Sequence, residues 1–125
     1  MELYEIENEF YGKVSKIETY YLGKYPYAEQ KSFDIKVQEA MTYLNSLNTN
    51  DCPTIFEELK VLYGREPTQQ EIIDRCNVIL YKKDTLLKVA GKIAGLRQLF
   101  EIDPYNFDFT LFDTYFPEVF NNGGA

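Results

Sequence analysis

From Asp103 to Phe120 seven aromatic side chains are interleaved with Asp103, Asp108, Asp113 and Glu118, and no lysine or arginine interrupts them. Rings set among carboxylates are recognition chemistry. A ring can fill an apolar pocket on a partner, while acids around it discourage self-association and favour a basic rim. In those terms Phe109, Phe112, Tyr115, Phe116 and Phe120 are candidate anchors, and Asp108, Asp113 and Glu118 are candidate rim contacts. Disordered tails are poor in aromatics, so residues 103–125 either fold back on the chain's own body or are kept for another surface. The expected arrangement is intermediate. Tyr105, Phe107 and Phe109 dock on the body, and Phe112 to Phe120 form a short helical turn, ended near Pro117, that stays available for a partner.

Catalytic groups are harder to find. The chain has no histidine, so serine–histidine and cysteine–histidine catalysis and the common zinc sets lose their usual member. Cys52 and Cys76 stand singly and are expected as reduced thiols rather than as a bridge or a metal site. Carboxylate pairs such as Glu5 with Glu9, or Glu57 with Glu58, have the placement of solvated helix faces, and the Glu-x-x-His of a di-metal bundle is missing. The expectation is a non-enzyme with no cofactor and no metal. The stretch AGKIAG, residues 90–95, lacks the spacing and the Ser or Thr of a phosphate loop. Ala90, Gly91, Ala94 and Gly95 instead suggest a small-residue strip that another helix could approach closely, so that Gly95→Leu would overpack it. Arg75, Lys82, Lys83, Lys88, Lys92 and Arg97 could form a basic side, most simply a solvated one; otherwise its natural ligand is the acidic C-terminal segment.

These groups must be positioned by helices. Leu3, Ile6, Phe10, Val14, Ile17 and Tyr21 recur at helical spacing and predict a helix over about residues 2–22, closed by Gly23 and Pro26. Phe33, Val37, Ala40, Leu44 and Leu47 predict a second over about 28–48. Pro53 suits the first turn of a third, with Ile55, Phe56, Leu59, Leu62 and Tyr63 on one face and Gly64 at its end. Thr68 followed by Glu71 is a capping box. No breaker follows until Asp103, so a fourth helix of about 34 residues is favoured over two helices split at residues 81–85. Its stripe is drawn through Ile72, Cys76, Ile79, Leu86, Ala90, Ile93, Arg97 and Phe100.

The fold expected is therefore all-α, a small bundle of about four helices with a long C-terminal helix, forming a domain over residues 1–102 followed by the aromatic-acidic segment 103–125. At 125 residues this is enough chain for a core without disulfides or metals. No apolar run is long enough for a membrane span and no signal peptide is visible, so a soluble chain is expected. The net charge of −7 comes more than half from residues 103–125, which hold four acids and no base. That balance argues against a nucleic-acid binder and permits a basic protein partner.

Across residues 33–103 the order of signals is more specific than any one of them. Phe33 precedes Gln38-Glu39-Ala40 and Tyr43-Leu44; Pro53-Thr54-Ile55 opens a short helix ending Tyr63-Gly64-Arg65; and Ile93-Ala94-Gly95-Leu96-Arg97-Gln98-Leu99-Phe100-Glu101 follows. This order resembles the helical module of tail-fibre assembly or accessory proteins of tailed bacteriophages. Tyr43, Leu44, Pro53, Gly64, Gly95, Arg97, Gln98 and Glu101 match that pattern as they stand, whereas Phe33 replaces its usual tryptophan, and the first helix and the C-terminal segment lie outside it. The resemblance implies a non-enzymatic chaperone or virion-associated protein. Its partner would be a tail-fibre or other virion protein, met in the host cytoplasm or the virion, with homo-oligomers compatible. The alternative reading is a small acidic inhibitor of a host nucleic-acid-binding enzyme, against which the neutral middle of the chain argues.

Overall fold

A computed structural model describes residues 1–23 and 25–121. The chain is all-α, with no strand among the described residues. Helix α1 spans Leu3–Leu22, α2 Tyr27–Ser46, α3 Pro53–Tyr63, α4 Gln69–Ile102, α5 Leu111–Tyr115 and α6 Pro117–Phe120. Short 3-10 turns lie at Thr49–Asp51 and Pro104–Asn106. The backbone falls into two compact units, one made of Met1–Tyr25 with Lys88–Ala125 and the other of Pro26–Leu87. The division foreseen at residue 102 is not the one in the fold, because the C-terminal segment clusters with the first helix.

The unit Pro26–Leu87 packs Val37, Ala40 and Tyr43 of α2 against Cys52, Ile55 and Leu59 at and in α3 and Ile72, Cys76 and Ile79 of α4. Helix α2 stops two residues earlier than its stripe suggests: Leu47 is left-handed, with φ 57°, and exposed, so it closes the helix rather than filling the core. Pro53 opens α3, where its missing N–H leaves nothing unpaired. The free N–H groups of Thr54 and Ile55 donate to one buried oxygen of Glu39, at 3.0 and 3.1 Å, so a carboxylate from α2 caps α3. Gly64 ends α3 in the left-handed region, at φ 68°. Leu62 and Tyr63 were expected on the buried face, but the core contacts of α3 stop at Leu59 and both are exposed.

Helix α4 begins at the capping box. The Thr68 N–H donates to Glu71 Oε1 at 2.8 Å, and the Glu71 N–H donates to Thr68 Oγ1 at 3.2 Å. Arg65 adds a fork, its two nitrogens 2.8 and 2.9 Å from the Glu71 oxygens. Residues 69–102 form one helix with no break at 81–85. Glu58 is not a solvated acid as its sequence setting suggests: Oε1 accepts from Lys36 at 3.1 Å, and Oε2 is 3.7 Å from Arg75. That ties α2, α3 and α4 together by charge.

The other unit has its own core: Ile6, Phe10 and Ile17 of α1, Leu96 and Phe100 of α4, and Phe112 and Phe116 from the C-terminal segment. Phe10 stacks on Phe100 with ring centroids 4.3 Å apart and meets Phe112 edge to face at 5.3 Å. Leu3, placed on the stripe by spacing, is exposed, and burial begins at Ile6. In this part of α4 Phe100 is buried and Ile93 packs on the core, as the stripe has them, but Leu96 is buried where the stripe has Ala90, which is exposed, and Arg97, which is half-buried.

Candidate partner-binding surface

Helices α5 and α6 are too short to stand alone; packing holds them. Phe112 and Phe116 have no exposed surface, and each buried ring contributes about 1.5–3 kcal/mol to the fold. The expectation that Phe112 to Phe120 stay available is corrected at these positions, since a ring already sealed in its own core cannot fill another protein's pocket. Phe109 is half-buried against Phe107, at 5.1 Å between centroids, and Phe120 is half-buried 5.7 Å from Phe112 with Lys13 lying 5.0 Å over its ring. Tyr105, expected on the body, is instead 63% exposed.

The acids of the segment also serve the fold. Asp108 accepts from the Thr110 N–H at 3.0 Å and from the Thr110 hydroxyl at 2.6 Å, bonds that hold its carboxyl below the usual range. Glu118 accepts a short hydrogen bond from the Tyr21 hydroxyl, fastening α6 to α1; burial, followed by this bond, raises the Tyr21 hydroxyl above its ordinary value. Asp113 is half-buried, and its backbone oxygen accepts from Asn121 at 3.5 Å. Of the proposed anchors Tyr115 alone is exposed, at 45%.

Tyr115 faces a groove of about 360 Å³ whose other walls are Lys92, Gly95, Leu96 and Leu99 of α4. A Cβ built on Gly91 or Gly95 would meet nothing within 4 Å, which overturns the expectation of a helix packed closely on the small-residue strip. Open space is what these glycines have. Lys88, Lys92, Gly95, Leu99 and Ile102, at steps of four, three, four and three, share one face of α4, and all are exposed. Neither Leu99 nor Ile102 was singled out as a surface residue from the sequence, although that spacing was available to find them.

The basic residues do not collect the acids of the C-terminal segment. Arg97 pairs with Glu101 at 3.0 Å, Arg75 approaches Glu58, and Lys83 lies 3.9 Å from Asp84. Lys92 does reach the segment, but through a backbone oxygen, that of Tyr115 at 3.3 Å, and from 5.4 Å over the Phe116 ring. Lys82 lies over the Phe33 ring.

The arrangement offers little to covalent chemistry. Cys52 and Cys76 are free and buried, and burial pushes both thiols up, Cys76 to about 11. Thiols so placed hold little thiolate at neutral pH. Among the described residues no group of three or more His, Cys, Asp or Glu side chains could hold a metal, and no helix is long and apolar enough to cross a membrane. The positions carrying the resemblance have structural places: Tyr43 is buried, Pro53 opens α3, Gly64 closes it, and Arg97 pairs with Glu101. Compared with family models, curated proteins and solved structures, the chain matches none.

Proposed function

We propose that this chain acts without catalysis, by protein–protein recognition, as an assembly chaperone or virion-associated accessory protein of a bacteriophage tail fibre. The observation that carries the recognition is the groove beside Tyr115. Leu99 and Tyr115 are 48% and 45% exposed there, and Ile102, three residues further along α4, is 79% exposed. Covering apolar surface of this kind yields roughly 25 cal/mol per Å², and the helix carrying it is already ordered, so little entropy is lost on binding. The phage setting rests on the resemblance carried by Tyr43, Leu44, Pro53, Gly64, Gly95, Arg97, Gln98 and Glu101.

The test is affinity capture with the intact chain from phage-infected cells, with recovered proteins identified by mass spectrometry. A tail-fibre or adsorption protein is the expected partner. Recovery of a polymerase or nuclease in its place would support inhibition of a host enzyme, and recovery of no virion protein would overturn the assembly reading.

A further inference from the structure

The exposed face of α4 has a charge as well as a shape. Lys88 and Lys92 open the stripe, and Gly95, Leu99 and Ile102 continue it toward the end of the helix. The Lys88 ammonium has no partner among the described residues, and Lys92 spends one donor on the Tyr115 oxygen, leaving two. The acids nearest in sequence each have another partner: Asp84, four residues before Lys88, lies 3.9 Å from Lys83, Glu101 pairs with Arg97, and Asp103 accepts from Asn106. On a chain of net charge −7 this is a locally basic edge beside an apolar groove.

We propose that this face docks an acidic segment of a partner protein. Apolar side chains of that segment enter the groove between Gly95, Leu99 and Tyr115, and its carboxylates meet Lys88 and Lys92. Gly95 sets the depth: with nothing within 4 Å of an added Cβ, partner side chains or backbone can come close to the α4 backbone. Charge selects the occupant. The stripe from Lys88 to Ile102 carries two lysines and no acid, so a second copy seated on it would bring no carboxylate of that stripe to Lys88 and Lys92, whereas an acidic segment does. The proposal rests on the recognition reading above and adds to it the chemistry of the partner.

The probe is a displayed library of random twelve-residue peptides, selected on the intact chain at low salt, with affinities of the enriched peptides measured by fluorescence anisotropy. Enriched sequences are expected to combine acidic with apolar residues. They should bind the chain at least tenfold more tightly than the Lys88→Glu, Lys92→Glu double variant, and filling the groove by Gly95→Leu should cost a similar factor. Raising the salt to about 0.5 M should weaken binding, because exposed charges are screened. Circular dichroism checks that each variant remains folded. Lys88→Glu alone, at an exposed side chain with no polar partner among the described residues, keeps the comparison interpretable should the double variant lose structure.

No enrichment, enrichment of basic peptides, or equal affinity for the charge-reversed chain would overturn the proposal. So would self-association of the isolated chain that Lys88→Glu abolishes, which would make a second copy the occupant. The two readings fail separately. An acidic consensus with no virion protein captured from infected cells would remove the phage role and leave the surface, while capture of a fibre protein undisturbed by Lys88→Glu would do the reverse.

Discussion

Single residues here act through backbone geometry and charge placement. Gly95 sits in the middle of a helix, where glycine is about 0.5–1 kcal/mol worse than alanine because its unfolded chain has more freedom to lose. With nothing within 4 Å of the added methyl, Gly95→Ala should raise stability by roughly that amount, read as a higher midpoint in chemical denaturation. A lowered midpoint would mean that the site is occupied. Glu71 carries a different signal. Hydrogen bonds from Arg65 and from the Thr68 backbone hold its carboxyl down to about 2, below its ordinary 4.5. A depressed carboxylate contributes stability that is present above the unfolded value and is lost as pH falls through the folded one. Thermal midpoints of the native chain should therefore fall between about pH 4.5 and 2, and Glu71→Gln should flatten that part of the profile. Parallel profiles for the two proteins would show that the Arg65 fork contributes nothing.

At the scale of elements, whatever is coded locally could be read from the sequence, and whatever depends on distant partners could not. The capping box at Thr68 and Glu71, the proline opening α3 and the glycine closing it are short-range chemistry, and each stands where the residue pattern places it. The uninterrupted α4 followed from the lack of any breaker. The Glu39 cap on α3 was invisible, because its acceptor and donors come from different helices and only folding joins them. It carries a direct prediction. Glu39→Ala should destabilise the fold by about 1–2 kcal/mol, having left the buried Ile55 N–H and the half-buried Thr54 N–H without an acceptor, and Glu39→Gln, which keeps an oxygen, should cost less. Equal losses in urea denaturation would mean that charge or packing, not capping, explains the residue. The candidate site was legible in part. Aromatic and acidic composition marked residues 103–121 as unusual, but composition cannot distinguish rings that recognise from rings that pack, and Phe112 and Phe116 pack.

For the whole molecule the consequence is a change in what the C-terminal segment is for. Two units each hold a core, and the segment supplies Phe112 and Phe116 to the one that also contains α1 and residues 88–102. On the proposed function, recognition falls to the surface this packing leaves open, the stripe from Lys88 to Ile102 with Tyr115 beside it. Local stability follows buried contacts, so removing rings from one core should be felt first by the helices that packed on them. Hydrogen exchange with mass spectrometry, comparing the intact chain with one ending at residue 109, tests this most directly. The expected result is lost protection over residues 3–22 and 88–102, with residues 27–87 still protected. If residues 3–22 and 88–102 kept their protection without the segment, Phe112 and Phe116 would not be core, and the segment would again be a surface held for a partner.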